Sequence, residues 1–235
     1  MIASIHQPNY IPWLGLYYKI AHSDIFVYLD DAQYSNVGDH NVNKIKTPQG
    51  EFKLKIPVEQ HLGDLIKNVR TKDELGWKEK HLKTITMNYS KAPFFSEFFP
   101  LLADIIFNHD GAIADLNIEI DQMICNGFGF STRFIRSSEL DIHTVREDRV
   151  IDICLAIGAS VYLSGNGAKA YEVEDHFYKK GIKLIFSDYK PIEYTQLWPR
   201  IGFLPYLSAI DYIFNCGFDW GRVEEQVRSI YDGNR

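Results

Sequence analysis

Apolar residues in this chain fall into two alternating patterns. Short continuous runs at Ile2-Ala3-Ser4-Ile5, Ile25-Phe26-Val27-Tyr28, Ser160-Val161-Tyr162-Leu163 and Ile182-Lys183-Leu184-Ile185-Phe186 read as strands buried in a sheet. Between them, Trp13, Leu16, Tyr17 and Ile20, and later Val150, Ile151, Ile153, Cys154 and Ile157, recur at helical spacing. Strand, helix and strand in succession define right-handed crossover units, which require parallel strands. The expected fold is α/β, Rossmann-like, with a mainly parallel sheet.

Two interruptions modify that pattern. Lys44-Ile45-Lys46-Thr47 and Phe52-Lys53-Leu54-Lys55-Ile56 alternate around Pro48-Gln49-Gly50 and predict a β-hairpin whose lysines face solvent. Residues from about 74 to 129 predict three helices, with breaks at Ala92-Pro93 and at Gly127 and Gly129, forming a helical insertion in one domain that spans 1–235. Farther on, Thr132 to Arg136 predicts a strand and Val173 to Lys180 a helix. Glu193-Tyr194-Thr195-Gln196 predicts an added edge strand, and Thr144-x-x-Glu147 and Ser208-x-x-Asp211 predict helix-capping boxes.

Composition narrows the function classes. A chain of 235 residues, 46% hydrophobic and 24% charged, can bury a substantial core. A formal charge of −6 argues against a general nucleic-acid backbone binder, while a few local donors can still hold a small anion. Cys125, Cys154 and Cys216 are odd in number, widely spaced and set in apolar patterns, so they read as buried packing residues of a reduced compartment. No zinc spacing and no Gly-x-Ser-x-Gly elbow occurs, and no metal is expected. The start lacks a signal-peptide pattern and no stretch is long enough to span a membrane, so the expected location is cytoplasmic. Aromatics reach 14%, but runs such as Phe94-Phe95-x-x-Phe98-Phe99 fit a core better than a ligand platform.

The candidate chemistry lies where apolar runs stop. Parallel strands carry ligands at their carboxyl ends. There the chain places His6, Gln7, Asn9 and Tyr10, then Asp30, Asp31 and Gln33, then Ser164 and Gly165 in a glycine-rich turn that suits positive φ and an amide nest for anions. One pocket is expected to hold all three groups. His6 is the general acid/base candidate because imidazole titrates near neutrality. Asp30 or Asp31 would orient it or bind a ligand amine, and as strand-end carboxylates either could equally cap a loop. Asn41, Asn43 and Lys44 sit beside a polar loop, where Lys44 and Lys46 could reach the phosphates of a nucleotide or simply be solvated.

The segments HQPNYIPWLG, FVYLDDAQYSN, NKIKTPQG, YLSGNGAKAY and LSAIDYIFNCG, in this order, resemble the WbqC-like family over essentially the whole chain. The resemblance implies a bacterial protein of surface polysaccharide or O-antigen synthesis and transfer of glycine or another acyl group to a sugar. It also brings Tyr171, at the end of the fourth motif, into the candidate substrate set. Val42 stands where the family pattern carries an arginine, which weakens an anion clamp at that point. The first thirty-five residues or so are similar to the opening of pantothenate synthetase and other HUP-type enzymes, and that likeness implies a substrate-carboxylate contact for Gln33. Trp13-Leu14-Gly15-Leu16 replaces the phosphate-binding HxGH of those enzymes, which leaves ATP use open. Two functions remain. One is amide-forming transfer from an acyl or aminoacyl donor to an amino sugar nucleotide, and the other is noncatalytic binding of a sugar nucleotide in the same pathway.

Overall fold

A computed structural model describes residues 1–170 and 172–232. Its centre is a five-stranded sheet built from β1 (Ile2–His6), β2 (Ile25–Tyr28), β7 (Arg133–Arg136), β8 (Val161–Gly165) and β9 (Lys183–Ser187). All neighbours pair in parallel, in the order β7-β2-β1-β8-β9. The chain therefore starts in the middle strand, runs outward through β2 to β7, and returns to lay β8 and β9 on the other side. Right-handed crossovers in opposite directions put helices on both faces and leave β1 and β8 diverging at their carboxyl ends.

Alternation in β2 shows the layering. Phe26 and Tyr28 join one core with Leu16, Tyr17 and Ile20 of α1 (Leu14–Ala21), whereas Ile25 and Val27 join a second core with Ile151, Ile153 and Cys154 of α5 (Arg146–Ala156) and Phe177 of α6 (Glu174–Tyr178). The first core continues into α2 (Trp77–Tyr89), α3 (Phe95–Asn108) and α4 (Ile113–Phe128), then α7 (Ala209–Cys216) and α8 (Trp220–Asp232). Phe98 is buried there and Phe95 and Phe99 pack against it, as the core reading of that run requires. All three cysteines are buried and free. The hairpin of β3 (Val42–Thr47) and β4 (Gly50–Lys55) lays Ile45 and Leu54 into the same core, and a small ladder joins β5 (Val58–Glu59) to β6 (Arg70–Thr71).

Several local expectations give way to longer-range partners. Gly127 lies inside α4 against the Phe218 ring, and only Gly129, at φ 76°, ends the helix. Neither capping box forms. Thr144 donates to Asp152 while Glu147 accepts from the Val173 amide and pairs with His176, and Ser208 Oγ donates to the Ile11 carbonyl. Residues 193–196 make no strand. Lys46 is buried and not solvated, its ammonium donating to Gln196 Oε1 at 3.1 Å and to the Gly202 carbonyl at 2.6 Å.

Asp121 of α4 is fully buried and accepts one hydrogen bond, from Tyr17 at 2.7 Å, while its other oxygen is unpartnered among the described residues. Burial drives its pKa well above the ordinary carboxylate value. An acid whose pKa is raised on folding adds stability below its unfolded pKa, and that contribution fades as pH rises toward the folded value. Asp121→Asn keeps the shape without the ionisable proton. Melts of both proteins should diverge in favour of the variant above about pH 4, by at most about 1.4 kcal/mol per pH unit. Parallel pH dependences would show that Asp121 is already stabilised as an anion.

Candidate active site

The carboxyl ends of β1, β8 and β9 open into a cleft of about 690 Å³, within the usual size of small-molecule sites. It sits at the divergence of β1 and β8, where open α/β sheets have room for a ligand because the connections leave in opposite directions. His6 ends β1, Gly165 ends β8 and Ser187 ends β9, and each lines the cleft. The hairpin contributes Asn43, Lys44 and Lys53, and the loop before it Asn36 to Asp39.

The loop between β1 and α1 is held in an unusual shape. Ile11, although β-branched, has φ 40°, a left-handed conformation costly for such a side chain. Its carbonyl accepts from Asn43 Nδ2 at 2.8 Å and Ser208 Oγ at 2.8 Å, and the Tyr10 amide donates to the Asp39 carbonyl at 2.8 Å. Those bonds pin the turn and present Asn9, Pro12 and Trp13 to the cleft. The Trp13 indole lies over Gly15, where an added Cβ would come within 2.4 Å of the ring, so glycine is needed for the indole to pack there. Tyr189 and Tyr206 stand 5.3 and 5.2 Å from Trp13, centroid to centroid, making an aromatic wall on which a sugar or base could stack.

His6 Nδ1 is 2.8 Å from the Gln7 carbonyl, which fixes the proton on Nδ1 and leaves Nε2 as the lone-pair nitrogen. Burial, with the positive charge of Lys19 next in effect, lowers its pKa to about 4, so the ring is neutral at pH 7. Lys19 is the unforeseen member. It is 4% exposed, lines the cleft from α1, and donates to the Ile5 carbonyl at 3.0 Å. Desolvation lowers its pKa to about 8 against the opposing pull of Glu172.

The structure separates the other residues that the sequence brought together. Asp30 is buried away from the cleft, accepting from Ser138 N at 3.1 Å and Ser138 Oγ at 2.9 Å. Asp31 is tied to Ser137 and Arg149. Both carboxylates therefore fasten the end of β2 to the loop after β7, and the expected common pocket with His6 does not include them. Gln33 is exposed and pairs with Leu65 in an isolated bridge. Gln7 does not line the cleft, Tyr10 is buried with its hydroxyl 3.2 Å from His81, and Asn41 bonds the Ile56 carbonyl at 2.7 Å. Asn9, Asn43 and Lys44 do line it, with Lys44 2.7 Å from Glu51. Gly165 is on the cleft, but Ser164 is buried behind it. Neither Gly165 nor Gly167 takes a positive φ, and the turn is a short 3-10 helix, Asn166–Ala170. Tyr171 lies outside the described residues. Among the described residues no His, Cys, Asp and Glu cluster could hold a metal.

Lys19 left one trace in the sequence. It falls three residues after Leu16 and next to Ile20, inside the apolar stripe of its own helix, where a lysine must either snorkel out or serve an interior site. Tyr206, on an irregular segment at φ 59°, left none.

A parallel sheet with helices on both faces and a polar cleft at its switch point defines an α/β protein with the architecture of a small-molecule binding site. More narrowly, the chain belongs to the WbqC-like protein family, whose profile matches residues 7–223. It is also similar to an uncharacterised protein of Mycobacterium tuberculosis, 34% identical over 218 residues that cover 91% of this chain and 93% of the relative. No solved structure matches it. No helix among the described residues is long and apolar enough to cross a membrane.

Proposed function

We propose that this cleft joins an acyl or aminoacyl group, glycine among the candidates, to the amine of a sugar nucleotide, in the synthesis of bacterial surface polysaccharide such as O-antigen. The observation that carries the reading is the neutral His6 ring on the cleft, with Nδ1 spent on the Gln7 carbonyl and Nε2 free to accept a proton. The amine attacks the acyl carbon of an activated donor, its proton passes to Nε2, and the leaving group departs with the electron pair of the broken bond. The aromatic wall of Trp13, Tyr189 and Tyr206 supports the reading by offering a stacking face for the sugar or its base. Purified protein incubated with a panel of amino sugar nucleotides and acyl or aminoacyl donors, with and without ATP, should form an amide product visible by mass spectrometry. Tight binding of a sugar nucleotide with no product from any donor would favour a noncatalytic binding protein.

A further inference from the structure

Lys19 presents a buried cation without a paired anion. An ammonium has three N–H donors and is costly to remove from water unless it is compensated. Among the described residues Lys19 spends one donor, on the Ile5 carbonyl, and no carboxylate lies within ion-pair distance. Glu172 is the acid that it senses, and that carboxyl is itself buried, raised in pKa, and bonded to Tyr162 at 3.3 Å.

The rest of the cleft repeats the sign. Among the described residues, Lys44 and Lys53 also line it and Asp39 is the acidic side chain opposing them, so three lysines face one aspartate in a chain of net charge −6. Lys44 is partly neutralised by Glu51, and of the three lysines it is Lys19 that is buried. At Gly165 and Gly167 no atom lies within 4 Å of where a Cβ would stand, so that backbone is open to a close approach. A compact point charge beside backbone open to a close approach suits a phosphoryl group, whose several oxygens need donors from more than one direction.

We propose that Lys19 and the Gly165-Asn166-Gly167 backbone form a phosphoryl-binding subsite on the floor of the cleft, which takes the diphosphate of a nucleotide-linked substrate. The identity of the nucleotide rests on the function proposed above, whereas the subsite itself requires only the phosphoryl group. A bound anion favours the charged amine, so Lys19 must be protonated to bind. Its pKa of about 8 in the free protein makes affinity level below that pH and weaker above it, by up to about tenfold per unit until the bound-state pKa is passed. Of the groups facing it, His6 titrates at about 4, Glu172 has a raised carboxyl, and Asp39, Lys44 and Lys53 line the walls. An arginine at position 19 does not titrate in this range and separates its contribution from theirs.

Titration calorimetry tests this with two probes, inorganic pyrophosphate and uridine diphosphate N-acetylglucosamine. The diphosphate of the second is a diester without a proton to lose between about pH 6 and 9, so it serves for the pH series. Lys19→Met should weaken both probes on the order of 10- to 100-fold, the range expected for a charge-assisted hydrogen bond. Lys19→Arg should retain binding with a flat pH profile. Equal affinity of wild type and Lys19→Met for the sugar nucleotide would overturn the subsite and leave the proposed function standing. Pyrophosphate held through Lys19 with no sugar-nucleotide binding would uphold the subsite and overturn a uridine-linked N-acetylglucosamine as its ligand, leaving the proposed function to the amide-forming assay. Failure of wild type to bind either probe would overturn the subsite. Should Lys19→Met not fold, the wild-type profile decides, because an affinity that does not fall between about pH 7 and 9 contradicts a binding role for this amine.

Discussion

Alanine at position 211 is expected to destabilise the protein by about 3–5 kcal/mol, because it strands three hydrogen-bond donors in the interior at about 1–3 kcal/mol each, partly relieved by relaxation. Asp211 of α7 is fully buried and accepts from Tyr89 at 2.7 Å, Tyr194 at 2.8 Å and Gln196 Nε2 at 2.8 Å. Gln196 passes the connection on to Lys46 in the hairpin and to Leu204, and Tyr89 accepts from the Lys46 amide. One carboxylate thus ties α2, the hairpin and the irregular stretch 189–207 to α7. That stretch carries Tyr206, so the loss should also loosen the aromatic wall of the cleft. Asp211→Asn keeps the shape and one acceptor oxygen and should cost less than alanine. Urea unfolding of the three proteins measures the difference, and an alanine effect below about 1 kcal/mol would mean that the donors find water or other partners.

That network also marks where the sequence stops being informative. Buried parallel strands are short apolar runs, and those at 2–5, 25–28, 160–163 and 182–186 coincide with β1, β2, β8 and β9 within two residues at either end. Helices α2, α3 and α4 followed from spacing and from Ala92-Pro93 for the same reason, since one face of each must be apolar to join the core. The polar residues were harder, because their partners are distant in sequence. Ser208-x-x-Asp211 has the local form of a cap, yet the hydroxyl reaches Ile11 and the carboxylate reaches Tyr89. Tyr194 and Gln196 look like alternating strand residues, but their side chains serve Asp211 and no neighbouring strand pairs with them. Strand-end position alone also misled for Asp30 and Asp31. Both follow β2, beside β1, but a carboxylate there can turn toward either neighbour, and Ser137, Ser138 and Arg149 supply donors on the β7 side. His6 differs because its Nδ1 is satisfied within its own turn, which leaves the other edge of the ring to the cleft.

His6→Ala is therefore expected to lower amide formation by about 100- to 10,000-fold, the usual contribution of a positioned acid or base, on whichever donor and acceptor the wild type turns over. The low pKa shapes how this should look. A conjugate acid of about 4 is a weak base toward a free ammonium, but once the amine has added to the acyl carbon its N–H protons become much more acidic, and a neutral imidazole within reach can take one. Because His6 is unprotonated well above pH 4, the wild-type rate should not fall with His6 until the solution is acidified toward that value. Glutamine at position 6 separates the roles, since its amide can accept a hydrogen bond but cannot carry the proton away. If proton transfer is the function, His6→Gln should be nearly as slow as His6→Ala, with substrate affinity in both close to wild type, so that kcat falls and KM changes little. A glutamine variant with near wild-type kcat would assign His6 to holding the substrate by a hydrogen bond and would move the search for the base to another group lining the cleft.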